Sequence, residues 1–184
     1  SYVPSNLVRV GRFVSIMTPG LWGYDIGDTV KFVSLDPPRI LVTGRIKHFT
    51  SAFGEHVIAE EVEGAAQVAM AQCGGVISEF HVAPQVAPTQ GLPYHEWLVA
   101  FEDLPEDLDD FVGALDQALQ GANPYYKDLI QGAVLRPAQL TCVPTESFNE
   151  AMRKRGKLGG QNKMPRLAND RGLADLILTT EEQA

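Results

Sequence analysis

Cysteine and long apolar runs are both scarce in this sequence. Only two of its 184 residues are cysteine, and Cys73 and Cys142 lie far apart, each within an apolar pattern. This favours buried thiols in a reducing compartment and leaves a disulfide open. No apolar run approaches the roughly 20 residues that a membrane span needs, and no basic-then-apolar leader is present. A cytoplasmic protein that does not bind a membrane is therefore expected.

Positive charge is also in short supply. Lysine and arginine together number 15 against 23 aspartates and glutamates, so the formal net charge is −8 at pH 7. Nucleic acid phosphates demand a basic face, and this balance argues against such a partner. One local basic cluster, Arg153, Lys154, Arg155 and Lys157, falls at a predicted helix end. Cations complement the negative end of a helix dipole there, so a polyanion site is the second interpretation.

The common catalytic and metal-binding motifs are missing as well. There is no Gly-x-Ser-x-Gly, no phosphate loop of the Gly-x-x-x-x-Gly-Lys-Ser/Thr type, and no histidine close in sequence to either cysteine. The four histidines show no metal-ligand spacing, so no metal site is expected. Taken alone, these absences favour a binding module or an incomplete enzyme.

What is present is a mixture of strand and helix patterns, which predicts the α+β class. Residues 1–35 look like β structure interrupted by a glycine-dense loop at 18–28. Further strands are predicted at 40–42, 76–86, 95–102 and 139–143. Five helices are predicted. The first spans 56–73 with Gly74-Gly75 as its C-cap, and the second runs from Pro105 through a buried stripe that ends at Leu119. The others begin after Asn123-Pro124, run from a capping box at 147–150 to about 156, and span 173–178.

The stretch 37–57 organises this pattern. An apolar run ends at Gly44, a second glycine turn follows at Gly54, and a helix then begins with Glu60 and Glu61 at its positive end. Such a strand, turn and helix is often an ordinary connection. Lys163 lies in a second notable stretch, a glycine-flanked basic loop. A lysine is a mobile charge suited to reaching a phosphate or carboxylate, although composition alone favours a solvated loop lysine.

Three segments in fixed order favour a functional role for Lys163 over a solvated loop lysine. Residues 20–28 (GLWGYDIGD) resemble the Tyr-Arg-x-Gly-Asp motif of adenylate-forming enzymes, 44–47 (GRIK) resemble their Gly-Arg-x-Asp/Lys hinge, and 159–166 (GGQNKMPR) resemble their catalytic-lysine motif. The amino-acid sequences of residues 37–46, 49–57 and 159–167 are similar to those of the Gretchen Hagen family of acyl-acid amido synthetases, in particular its bacterial members. The similarity covers essentially the whole chain.

This resemblance implies a two-step reaction. ATP, with Mg²⁺, and a carboxylic acid give an acyl-adenylate, and the amine of an amino acid then forms the amide. By position in the motifs, Tyr24, Asp28 and Arg45 would bind the nucleotide, with Asp28 on the ribose hydroxyls. Lys47 would lie at the hinge, and Lys163 would be the catalytic lysine. The motif's usual Tyr-Arg is replaced by Tyr24-Asp25, so one arginine contact is missing.

The resemblance also implies a domain organisation. Residues 1–43 would be the β-rich end of a large adenylation domain, 44–47 the hinge, and 48–184 a small mobile lid built on a mixed three-stranded sheet with flanking helices. The rest of the large domain, with the acid pocket and most contacts to ATP and Mg²⁺, would be the partner that this chain lacks. The chain alone is therefore expected to be inactive.

Two alternatives stay open at this point. An acyl-CoA ligase would use the same adenylation step and a thiol acceptor. A non-catalytic interaction module would have kept the fold and lost the chemistry, but the presence of Asp28, Arg45 and Lys163 together counts against it, since a decayed site has no physical need for all three.

Overall fold

The computed structural model describes residues 10–17, 21–45, 49–50, 52–156 and 163–179. The chain divides into two compact units, Ser1–Lys47 and His48–Ala184. The roles predicted for residues 1–43, 44–47 and 48–184 stay predictions.

The first unit is an antiparallel three-stranded sheet in the order β1-β2-β3. Its strands are β1 (Val10–Met17), β2 (Leu21–Leu35) and β3 (Pro38–Arg45). The prediction of a loop at 18–28 is wrong from Leu21 onward, because the glycine-dense segment lies within β2. The β1–β2 and β2–β3 pairings contain register shifts. Glycine is tolerated at such irregular positions, and the segment therefore pairs as a strand in spite of its composition.

The second unit contains a mixed three-stranded sheet and five helices within the described residues, which confirms the predicted α+β class. The sheet has the order β6-β7-β8, with β6 antiparallel and β8 parallel to the central strand β7. In chain order the elements are β4 (Phe49–Thr50), β5 (Val57–Ile58), α1 (Ala59–Cys73), β6 (Val76–Gln85), β7 (Tyr94–Asp103), α2 (Leu108–Ala122), α3 (Pro124–Gln131), β8 (Gln139–Cys142), α4 (Thr145–Lys154) and α5 (Gly172–Leu178).

Strand β7 is buried on both faces and divides the core into two clusters. Trp97 and Val99 belong to the cluster that includes α1 and α2 residues, and Leu98 and Ala100 belong to the one that includes α4 and α5 residues. Because successive side chains of a strand point to opposite faces, β7 separates two cores. His95 lies on the same face as Trp97, two residues away, and its ring stacks on Tyr126.

Several helix boundaries differ from their predictions for local reasons. Helix α1 begins at Ala59, three residues late, because His56 has a positive φ of 50° that a right-handed helix excludes. Pro105 lies outside α2, since Asp107 caps that helix by accepting hydrogen bonds from the backbone of Asp109 and Asp110, and Leu108 is exposed. Helix α4 begins before Ser147, so the expected capping box is wrong.

Other local predictions are confirmed. Gly74 and Gly75 both have positive φ at the end of α1, and the Asn123 side chain caps α3 by accepting a hydrogen bond from the Tyr126 backbone. The cysteines differ from expectation in part, because Cys73 is half-buried but Cys142 is exposed. Of the helices in the described ranges, none combines the length and apolar character that a membrane span requires.

A buried carboxylate ties the start of the second unit to its core. Glu55 is fully buried, its Oε1 accepts a hydrogen bond from His95 Nε2 at 2.9 Å, and its Oε2 accepts one from the Phe53 backbone at 2.8 Å. Burial raises the pKa of Glu55, but these hydrogen bonds outweigh it and the pKa is lowered overall. The Asn123 amide donates to the Glu55 carbonyl and to Glu61 Oε2, which joins the turn to α1 and α3.

We expect Glu55→Ala to destabilise the chain by about 3–5 kcal/mol, because it leaves the buried His95 and Phe53 donors without an acceptor. Urea unfolding followed by far-ultraviolet circular dichroism measures this loss. The control is Glu60→Ala, an exposed carboxylate in the first turn of α1, whose removal should cost less than about 1 kcal/mol. Equal losses in the two variants would contradict this account of Glu55.

Candidate functional site

Lys163 lies in an irregular segment just before the chain returns to the sheet. Its side chain is exposed and makes no hydrogen bond or ion pair with the described part of the chain. A positive charge in this state is available to a ligand from outside the unit. Its position therefore depends on how the backbone beside it is held.

The residues that follow Lys163 pair with the outer edge of β6. The Val82 backbone N–H donates to the Arg166 carbonyl at 2.9 Å, and the Ala168 N–H donates to the Val82 carbonyl at 3.0 Å. Leu167 forms a parallel bridge with Val82, and its side chain is buried in the cluster that contains Trp97. The segment is thus fixed by backbone pairing and by apolar burial within five residues of Lys163.

The Arg166 side chain reinforces this pairing. Its guanidinium forms an ion pair with Glu79, donates to the Phe80 carbonyl at 3.3 Å and lies 4.6 Å from the centre of the Phe80 ring. A second carboxylate, Glu63 of α1, is 3.8 Å away. Because carboxylates already neutralise Arg166, this residue holds the segment and is a poor second site for a phosphate.

A shallow groove of about 220 Å³ opens beside Arg166, between α1 and β6. Apolar side chains of both elements line it, together with the carboxylate of Glu63 and the hydroxyl of Ser78. An anion in this groove would meet Glu63 and an already paired Arg166. The groove therefore does not suit the triphosphate of a nucleotide.

His81 holds the same segment from inside the sheet. The imidazole is fully buried, and its Nδ1 donates to the Pro165 carbonyl at 2.7 Å. Burial lowers the pKa of His81 to about 4, more strongly than its hydrogen bond to Pro165 raises it. The ring is accordingly neutral near pH 7, and its Nε2 has no hydrogen-bond partner among the residues described.

The other predicted site residues belong to the first unit. Asp28 and Arg45 are direct partners in the β2–β3 register, so the pairing brings two of the predicted nucleotide-binding residues to opposite positions on neighbouring strands. Tyr24 lies four residues before Asp28 in β2, where it pairs with Ser15 of β1. The predicted hinge residue Lys47 lies outside the described residues.

The donor set of the chain fits ATP in part and gives no support for Mg²⁺. Asp28 and Arg45 are partners in the β2–β3 register, and their residue types suit a ribose diol and a phosphate, respectively. Within the described ranges, no group of three histidine, cysteine or acidic side chains is placed to hold a metal ion. A nucleotide-bound Mg²⁺ would need ligands from elsewhere.

Sequence reasoning missed two residues that position the lysine segment. His81 carried only a weak signal, a histidine inside a largely apolar strand, and it showed no metal spacing. Arg166 was noted as part of the lysine motif, without its role on β6. Their partners, Pro165 and Glu79, are 84 and 87 residues away in sequence (165 − 81 and 166 − 79), so no local pattern could identify them.

Comparison with known proteins gives a consistent result. A family model, the GH3 family C-terminal domain, matches residues 60–172. Among solved structures, a GH3.15 acyl acid amido synthetase is similar with a TM-score of 0.67 and 16% sequence identity, over 94% of this chain and 34% of that one. An AtGH3.15 acyl acid amido synthetase in complex with 2,4-DB gives the same score and identity, over 94% and 33%. No curated protein matches the chain.

The structural similarity at 16% identity shows a shared fold. This chain spans about a third of the length of those two synthetases. The remaining two thirds of each synthetase have no counterpart here.

The buried neutral His81 makes a specific prediction for acid stability. Since its pKa falls from 6.5 to about 4 on folding, the unfolded chain binds an extra proton between those values and stability decreases as the pH is lowered. At 1.36 kcal/mol per pKa unit, we expect His81 to account for a loss of about 2 kcal/mol by about pH 5. Urea unfolding between about pH 7 and pH 5 measures it, above the range in which Glu55 would be protonated.

The variant His81→Asn should lose this part of the pH dependence, because the asparagine side chain does not titrate in that range. His56→Asn, at an exposed position in the turn before α1, is the matched control and should retain it. An unchanged slope in His81→Asn would contradict the buried neutral state of His81.

Proposed function

The chain belongs to the GH3 family, and from this membership we propose that it is the C-terminal part of an ATP-dependent acyl-acid amido synthetase. The observation that carries the proposal is Lys163, an exposed cation without an ion pair in the described ranges, at the end of a segment that is held on β6. The sequence around Lys163, which resembles the catalytic-lysine motif, agrees with this assignment. The fold similarity to two acyl acid amido synthetases supports it.

The proposed reaction has two steps. A carboxylate oxygen of the acid attacks the α-phosphate of ATP, and pyrophosphate leaves to give the acyl-adenylate. The amine of an amino acid then attacks the acyl carbon, AMP leaves, and an amide remains after loss of the amine proton. Lys163 would act in the first step by neutralising charge at the α-phosphate and the carboxylate. Such an interaction is worth roughly 4 kcal/mol at about 4 Å and an effective dielectric near 20.

The paired strands of the first unit supply the nucleotide contacts in this proposal. Asp28 accepts hydrogen bonds from the ribose hydroxyls, and Arg45, opposite it in the register, holds the ribose or the neighbouring phosphate. Tyr24 completes the nucleotide site. Lys47 is the hinge about which the second unit turns between the two steps.

The proposal also explains why this chain alone should be inactive. It spans about a third of the length of the two synthetases, and the acid pocket and Mg²⁺ site are assigned to a large N-terminal domain. The small-molecule acid and the amino acid are thus bound mainly outside this chain. The chain contributes the lid and its lysine.

We expect Lys163→Ala in the full-length protein to lower acid-dependent ATP–pyrophosphate exchange by about 10²–10³-fold, the range found when one electrostatic contact to a transition state is removed. The assay supplies a pool of carboxylic acids and measures label incorporation into ATP. Lys154→Ala, an exposed lysine in the last turn of α4, is the control and should exchange at the parental rate. Parental exchange by Lys163→Ala would refute the role of this lysine.

The acceptor is tested in the same protein. Product formation with a panel of amino acids, set against coenzyme A, distinguishes the amido synthetase from the acyl-CoA ligase. Amide formation supports the proposal, and thioester formation would instead identify the protein as an acyl-CoA ligase. Exchange by the chain of 184 residues alone would contradict its proposed inactivity.

A further inference from the structure

His81 joins the sheet to the lysine segment through a single hydrogen bond. Its side chain leaves β6 toward the cluster of α4 and α5 and reaches the Pro165 carbonyl, with Nδ1 and the carbonyl oxygen 2.7 Å apart. The charged groups that act on the ring are Arg155, after α4, and Asp170 and Arg171, before α5. None of the steps proposed above uses this imidazole.

The imidazole is an unfavourable choice if only packing matters at this position. Its Nε2 is buried without a hydrogen-bond partner in the described chain, and an unsatisfied buried polar atom costs about 1–3 kcal/mol. A leucine would fill similar space without that cost. The hydrogen bond from Nδ1 is therefore the specific contribution of a histidine at residue 81.

The geometry of Pro165 makes this bond effective over two residues. Proline has no N–H, so the carbonyl is the one backbone group by which Pro165 can be held. The ring restricts φ at Pro165 and favours an extended backbone at Met164. A fixed Pro165 carbonyl consequently limits where Lys163 can lie, although Lys163 itself makes no hydrogen bond or ion pair with the described residues.

We propose that His81 is a positioning residue for Lys163 and acts through the carbonyl of Pro165. This inference rests on the proposed function of Lys163 in adenylation. Without the His81 bond, the first fixed point after Lys163 becomes the Arg166 carbonyl on Val82, and one more residue, about 3.5 Å of chain, is unrestrained. A displacement of about 1 Å at a reacting group can cost about 10²-fold in rate.

The test compares two substitutions in the full-length protein. His81→Leu removes the donor, and His81→Asn keeps one, because the asparagine amide nitrogen is attached to Cγ as Nδ1 is in histidine. We expect His81→Leu to lower kcat for ATP–pyrophosphate exchange by about 10²-fold with an unchanged KM for ATP, and His81→Asn to recover most of the loss. His56→Asn is the control and should exchange at the parental rate.

Equal losses in the leucine and asparagine variants, or parental exchange by a folded His81→Leu, would overturn the proposal. Thermal unfolding shows which variants are folded. Where His81→Leu does not fold, His81→Gln takes its place, because its amide lies one atom further from the backbone and cannot reproduce the Nδ1 donor. A glutamine variant as active as the asparagine variant would likewise overturn it.

Trypsin cleavage after Lys163 gives a readout that does not need activity. The anchored residues 165–168 should protect this bond in the parent, and His81→Leu should be cleaved faster at this site alone, with His81→Asn close to the parent. If the parent shows no exchange with any acid, the proposed function has failed, and the cleavage rates still decide whether His81 holds the segment. Equal cleavage in parent and His81→Leu would refute that anchor.

Discussion

Burial of β7 on both faces is the constraint from which the rest of the second unit follows. Two helical layers must cover this strand, and its polar residues need partners inside the protein. His95 meets Glu55 on one face, and Glu96 meets Arg171 at 2.7 Å on the other. These two pairs bring the segment before α1 and the segment before α5 to the same strand, so the chain is fastened near both ends of the unit.

The outer edge of β6 fixes the segment that follows Lys163. One edge of this strand pairs with β7, and the other receives residues 166–168. This arrangement gives an irregular segment fixed neighbours and leaves Lys163 exposed at its start. The two cations of the motif thus differ: Arg166 is neutralised by Glu79 and holds the segment, whereas Lys163 is exposed and has no ion pair among the described residues.

The elements with strong local signals were predictable. Asn123-Pro124 marks the start of α3, paired glycines end α1, and apolar runs of strand length mark β6 and β7, because each of these signals acts through neighbouring residues. The failures occurred where local and tertiary signals conflicted. The glycine-dense residues after Leu21 lie in β2 because the neighbouring strand β1 pairs with them, a partner that the local composition does not reveal.

The amino-acid sequence by itself determined the α+β class through periodicity along the chain, and the resemblance of its short motifs to a known family pointed to the family and to the candidate lysine. The tertiary structure decided which residues hold the segment after that lysine and the turn before α1. Glu55 and His95 are 40 residues apart, and His81 and Pro165 are 84 apart. Such residues meet only after the strand order and the burial of β7 have been established, and no pattern of neighbouring residues encodes their contact.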